Sequence, residues 1–270
     1  MDLSVFDLTF FLLTVMCMIF IYTSFWFLIS LMLRRNDVAD LAWGLGIALV
    51  AMTMLVVVTV PSLRMEMLSA MAFVWGVRLT THIFLRFSKK TEDSRYAAWR
   101  EAWGQWFMPR SYAQVFLLQG ALMVVVGYPF IHAGLYPDAV FSFFDIVGVI
   151  LWTTGLLVET WSDRDLRRFT ADPANKGKVL ERGLWRYSRH PNYFGEVLQW
   201  WGIGIVLLAV PYGYLALISP IVMTVLILFV SGIPMLEAHL MKNPEYREYA
   251  RRTSKFFPLP PKKALVDSGQ

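Results

Sequence analysis

The sequence predicts an all-α integral membrane protein with seven transmembrane helices, the N-terminus outside and the C-terminus cytosolic. Three observations carry this prediction. First, 57% of the 270 residues are hydrophobic, and they gather into blocks of about twenty nearly uncharged residues, the length a bilayer requires, whereas a water-soluble core would alternate apolar and polar positions at helix or strand period. Second, several of the 11 tryptophans lie near block ends, where an amphipathic ring suits the headgroup layer. Third, nearly all of the 25 Lys and Arg residues fall in loops that seven spans place on one side, as the positive-inside rule requires.

In chain order, the N-terminal stretch Met1 to Asp7 has no basic residue, so the block at 8–33 reads as a retained span and not a signal peptide. Arg34 and Arg35 close it. Spans follow at 41–60 and 67–87. Between 87 and 112, Tyr96, Trp99, Trp103 and Trp106 recur at helical spacing with Arg95, Arg100 and Glu101 among them, which predicts a helix lying in the interface. Further spans are expected at 112–135, 140–161, 193–210 and 214–234, the last two separated by Pro211-Tyr212-Gly213. Six basic residues lie between Arg86 and Arg110, eight between Arg164 and Arg189, and seven from Lys242 to Lys263; Arg64 alone faces the other side, and Arg78 lies within a span.

No repeat interrupts the chain, so residues 1–270 read as a single integral membrane domain. The lone cysteine, Cys17, excludes an intrachain disulfide and a cysteine metal cluster. The formal charge of +5 is explained by topology, and no nucleic-acid motif accompanies it. His132 is expected on the outer side and His239 at the start of the tail; neither has metal-ligand spacing, so no structural metal is expected.

Chemistry-bearing residues concentrate in three places. Arg78, His82 and Arg86 lie at i, i+4 and i+8 on one face of the third span; charge at that depth needs a cavity, partner or anion, although Arg86 also suits snorkelling. Glu159, Asp163 and Arg167 form a similar column at the end of the fifth span, fitted to a ribose, an amide or a phosphate, or equally to a solvated helix end. In the run from Trp185 to Glu196, Pro191 is placed to start a helix. Free N–H groups at that start, with Arg186, Arg189 and His190 around it, fit an anion such as a nucleotide phosphate; a positive-inside loop before a Pro-started helix needs no ligand at all. Asn192 and Glu196, four apart, are set to project into the bundle, and Gly195 permits a close approach. Beside the tail's basic residues, Tyr246, Arg247, Tyr249, Arg251 and Arg252 read as a solvated, membrane-facing segment.

The stretches Asp37 to Gly44, Trp75 to Leu79, Glu92 to Tyr96, Asp163 to Arg167, Tyr187 to Glu196, and Tyr246 through Pro258 together resemble the bacterial membrane proteins of unknown function related to the C-terminal domain of steroid 5-alpha-reductase. The resemblance covers most of the chain. It implies an enzyme of the bacterial inner (cytoplasmic) membrane with its site facing the cytosol, NADPH as cofactor, and reduction of a carbon-carbon double bond conjugated to a ketone. It also implies that Asp163, Arg167 and Asn192 bind the cofactor and that Glu196 stands nearby. Arg78, Arg86, Glu159, Arg186, Tyr187, Arg189 and His190 join the candidate cofactor-binding set; Asp40, Tyr193 and Glu196 are the catalytic candidates, with Asp40 standing in for the substrate-polarising Gln-Glu pair that the sequence lacks. It departs from the steroid enzymes at Glu159, where they carry Asn, and at Thr170, where they carry Arg.

The implied chemistry is hydride delivery to the β-carbon of an enone, with an acid on the carbonyl and a proton added at the α-carbon, in a pocket where exclusion of water strengthens polarisation. The partners are then a lipophilic steroid-like, isoprenoid or lipid substrate from the bilayer and the membrane lipids themselves; the oligomeric state stays open. Membrane methyltransferases using S-adenosylmethionine share Arg189-His190-Pro191 and Tyr193 and form the alternative, with a non-catalytic lipid-binding protein as a third. The column from Asp163 to Arg167 and the cation-rich loop favour the more highly charged nucleotide.

Overall fold

The computed structural model describes residues 5–88, 91–137 and 139–262; Lys89, Lys90 and Lys263, counted above among the cations, lie outside the described residues. Helices make up the regular structure among these residues. The chain divides into two compact units, 1–145 with 207–219 and 146–206 with 220–270.

In the first unit, α1 (Val5–Leu33) exposes a continuous apolar face that includes Leu13, Ile21, Leu28 and Met32. Such a face suits lipid, not water. The helix stops where Arg34 takes a left-handed conformation (φ 56°) and the Arg35 N–H donates back to Ser30 O at 3.1 Å, a common helix-ending geometry usually given to glycine. α2 (Val38–Val57) and α3 (Leu63–Phe87) run antiparallel, with Thr80 donating to Leu41 O and Ser69 to Ala51 O. They touch backbone to backbone at Gly44 and Gly76, where a Cβ on Gly76 would lie 2.4 Å from Gly44 O. The polar segment then forms α4 (Ser94–Trp103), N-capped by the Asp93 side chain, and α5 (Phe107–Ser111). A wide π-type turn over 112–117 leads into α6 (Leu118–Val126) and α7 (Tyr128–Leu135).

A helix does form over the segment expected to lie in the interface, as α4, but Tyr96 does not lie on its surface. It is buried with Val38, Ala39, Val115 and Phe116 in an apolar cluster. Arg64, read from the sequence as a lone loop cation, is instead buried in a two-point ion pair with Asp145. Its Nε donates to Oδ1 at 2.7 Å and its Nη2 to Oδ2 at 2.8 Å, and further bonds reach Ala139 O and Val140 O.

The second unit takes most of α8 (Phe143–Ala171), then α9 (Pro191–Leu207), most of α10 (Ile218–Val225), α11 (Ile233–Leu240) and α12 (Pro244–Arg252). α8 and α9 are antiparallel and meet at two glycine pairs, Gly148 against Gly202 and Gly155 against Gly195, seven residues apart on each helix. A Cβ on Gly195 would lie 2.6 Å from both Gly155 O and the Glu159 N atom. This backbone contact forces the polar side chains beside it into the helix interface.

The expectation of seven spans is corrected. Among the described residues, six helices are long and apolar enough to cross a membrane: Asp7–Leu33, Val38–Val57, Leu63–Phe87, Arg95–Leu135, Phe143–Ala171 and Gly213–Leu240. The segment expected to span at 193–210 is α9, which has 17 residues, about 26 Å of helix, and carries Asn192, Glu196 and Gln199. An even count also removes the parity on which an outside N-terminus and a cytosolic C-terminus rested.

Candidate functional site

Glu159, Asp163 and Arg167 do share one face of α8, but the column divides. Glu159 (3% exposed) and Asp163 (5%) are buried against α9, whereas Arg167, a turn further on, is exposed. Each buried acid holds an amide from α9. Asn192 Nδ2 donates to Asp163 Oδ1 at 3.1 Å, and Gln199 Nε2 donates to Glu159 Oε2 at 2.6 Å. A carboxylate accepts and does not donate, so both amides must turn their NH2 groups toward it and their carbonyl oxygens away. Those oxygens, Asn192 Oδ1 and Gln199 Oε1, are buried and have no hydrogen-bond partner among the described residues. Glu196 is buried on the same helix, and Tyr193 is half-buried.

The start of α9 is built from three directions. Trp185 Nε1 donates to Ser162 O on α8, and Ser188 Oγ accepts from the His190 N–H. The tail segment after α12 pairs with this loop: Arg189 N–H donates to Ser254 O, Ser188 Oγ to Phe256 O and Leu259 N–H to Tyr187 O. The Tyr249 hydroxyl donates to Trp185 O and Ser188 O. The tail is therefore part of the scaffold of the site, a role beyond the solvated segment read from the sequence.

Glu237, on α11, is one of the residues that sequence reasoning missed. Its Oε1 lies 3.0 Å from His190 Nε2, 3.1 Å from Arg189 Nη1 and 3.3 Å from the Tyr246 hydroxyl. Its one legible signal was a lone carboxylate at the end of an apolar block. Burial holds the His190 imidazole below its ordinary value against the opposing pull of Glu237, and burial followed by the Glu237 charge pushes the Tyr246 hydroxyl well up. Of the cations expected around this helix start, Arg189 and His190 are buried against Glu237, while Arg186 is exposed, as is the neighbouring Tyr187.

Asp40, Arg78 and Arg86 belong to the first unit. Asp40 accepts from the Tyr96 hydroxyl at 2.7 Å and from Arg95 Nη2 at 2.9 Å. Its neighbours continue the pattern: Arg35 pairs with Asp37, Arg100 with Glu92 and Arg95 with Asp93. Burial opposes ionisation of Asp93, but its bonds from Arg95 outweigh it and hold the carboxyl below the usual range. Arg78 is half-buried and Arg86 exposed on α3.

A family model described as protein of unknown function (DUF1295) matches residues 26–253. The chain belongs to that family. The DUF1295 match is accompanied by a distant relationship to steroid 5-alpha-reductases. The chain is 35% identical to human 3-oxo-5-alpha-steroid 4-dehydrogenase 1 over 60 residues, 22% of this chain and 23% of that protein. To human 3-oxo-5-alpha-steroid 4-dehydrogenase 2 it is 27% identical over 110 residues, 38% of this chain and 42% of the relative. To the steroid 5-alpha-reductase DET2 of Arabidopsis thaliana it is 34% identical over 62 residues, 23% of each. The chain thus spans less than half the length of each of these relatives, which are human and plant proteins, so the likeness does not mark a bacterial branch. No solved structure matches the chain.

Proposed function

We propose that this DUF1295 protein is a membrane-embedded, NADPH-dependent reductase of a conjugated carbon-carbon double bond in a lipophilic, steroid-like or isoprenoid substrate. The observation that carries the reading is the pair of buried amide oxygens that Glu159 and Asp163 turn away from themselves, in a chain related to steroid reductases. A buried acceptor left without a donor costs about 1–3 kcal/mol, a burden that a ligand N–H group would relieve. The residues fit a dinucleotide in kind: acceptors inside for its N–H groups, and exposed Arg167, Arg186 and Tyr187 outside for its phosphates and ring. The proposal rests on the second unit alone.

NADPH, when bound, supplies the hydride. The chain's own part is to orient and to exclude water. Asp163 sets the Asn192 amide, Arg167 and Arg186 offer guanidinium donors to phosphate, and the bond of Arg189 and His190 to Glu237 fixes the start of α9. Tyr193 and Glu196, on successive turns, are the proposed carriers of the proton that balances hydride addition. We place the site on the cytosolic side of a cytoplasmic membrane, because eight basic residues between Arg164 and Arg189 are of the kind that remain there.

Thermal unfolding of the detergent-purified protein with NADPH, NADH or S-adenosylmethionine tests the reading, since a ligand bound only by the folded state raises its stability. NADPH is expected to raise the melting temperature, and an Arg167→Ala variant to lose that rise while staying folded. Stabilisation by S-adenosylmethionine alone would replace the reductase with a methyltransferase.

A further inference from the structure

Gln199 was not among the residues singled out in the sequence, yet its chemistry can be accounted for atom by atom. The side chain is 1% exposed, in the interface of α9 with α8. One Nε2 bond goes to Glu159 Oε2 at 2.6 Å. A second, longer contact at 3.4 Å reaches Gly195 O one turn back. Both donors are engaged, and Oε1 is buried with nothing to accept from among the described residues. A terminal amide's orientation is ordinarily ambiguous, but here Gly195 O, which can only accept, lies at the same end as the Glu159 carboxylate and sets it. Glu159 therefore holds a carbonyl oxygen out as an acceptor, and an N–H donor of a ligand is what that oxygen lacks.

We propose that Gln199 accepts a hydrogen bond from the carboxamide of the nicotinamide ring, with Glu159 as its positioning residue. The inference rests on the reductase reading above. NADPH has two planar NH2 groups, the nicotinamide carboxamide and the adenine amine. Depth along α9 separates them. Gln199 lies eight residues beyond Pro191, about 12 Å along the helix from the end where the Arg186 loop joins. The phosphate-bearing adenosine half belongs with exposed guanidinium groups, and the uncharged ring that reacts with a lipophilic substrate belongs with the fully buried acceptor.

The test measures dissociation constants and thermal shifts for NADPH, for its 3-acetylpyridine analogue, which replaces the carboxamide by a methyl ketone and so lacks the N–H donor, and for its hypoxanthine analogue, which lacks the adenine amine. The wild-type protein is expected to bind NADPH about tenfold more tightly than the acetylpyridine analogue, the loss typical of leaving a buried acceptor unpaired. Gln199→Met, close in volume, should bring NADPH down to the analogue's affinity and leave the analogue unchanged. Glu159→Gln, which still offers an oxygen to Gln199 Nε2, should preserve most of the discrimination, and Glu159→Met should lose it. Equal wild-type affinity for NADPH and the acetylpyridine analogue overturns the proposal, whether or not any variant folds. Discrimination that survives Gln199→Met overturns the assignment to Gln199, and a Gln199-dependent loss with the hypoxanthine analogue reassigns the oxygen to adenine and also overturns it. Failure of the wild-type protein to bind NADPH at all strikes the reductase reading itself and is thereby distinguished from these results.

Discussion

The two units give their carboxylates different partners. In the first, Asp37, Asp40, Glu92, Asp93 and Asp145 each lie within 3.0 Å of a guanidinium nitrogen. In the second, Glu237 is shared by Arg189 and His190, but Glu159 and Asp163 receive amides. A guanidinium has donors only and can satisfy a carboxylate completely, whereas an amide brings an acceptor of its own. Acid paired with arginine closes a structure; acid paired with amide leaves an oxygen that a ligand can use. The largest effect expected from this contrast is on stability in the first unit. Arg64→Ala strands the fully buried Asp145 and should cost about 3–5 kcal/mol, seen as a large fall in melting temperature or loss of monodisperse protein. A near-neutral result would show that the buried pair is not what secures the start of α3.

The next effect sharpens the contrast from the other side. Gly195→Val places atoms 2.6 Å from the backbone of α8, so the helices must separate. Overpacking of this kind costs about 1–3 kcal/mol, and it should also disturb both acid-amide bonds. The expected signature is a lower melting temperature together with loss of NADPH stabilisation. Asp40→Asn should do less. Its partner Arg95 is about one-third exposed and keeps Asp93, so solvent screening limits the loss to about 1 kcal/mol, with NADPH binding retained. If Asp40→Asn abolished cofactor binding while Gly195→Val spared it, the assignment of closure to one unit and binding to the other would be reversed.

How much of this was legible in the sequence follows from what each element depends on. Apolar length is local, so the first three spans emerge within a few residues of their expected ends. The helix at α9 was legible from Pro191, but its shortness as a span was not, because the apolar run that follows Gln199 continues past the helix end at Leu207 to Val210. The column of Glu159, Asp163 and Arg167 was visible as spacing. Its division into buried acids and an exposed guanidinium depends on the close approach at Gly155 and Gly195, residues 40 apart in sequence. Gln199 and Glu237 went unnoticed for the same reason, since a polar residue in an apolar block acquires meaning only when its partner is known. Arg64 was misjudged because Asp145, its partner, lies 81 residues away.

The smallest expected effect again separates the units, through acid. His190 is buried, and burial outweighs the pull of Glu237, so its folded value lies below the ordinary imidazole value of about 6.5. As pH falls below that value the unfolded chain takes up the proton first, and stability that is fully present above it is lost on the way down through the folded value. Because burial and Glu237 act in opposite senses, the net contribution is the remainder of two larger ones. Asp93, held below its usual range by Arg95, gives the first unit the same sign in a lower window: its contribution is present above the ordinary carboxylate value of about 4 and is lost as pH falls through the depressed one. Hydrogen exchange followed by mass spectrometry across pH should therefore show the start of α9 and α11 loosening first, as pH falls below the ordinary imidazole value, with the ion pairs of Asp37, Asp93 and Glu92 holding until the medium is far more acidic. His190→Asn should erase the upper window and leave the lower one in place. Simultaneous loosening of both regions at one pH would mean that a shared transition, and not these two groups, governs acid unfolding.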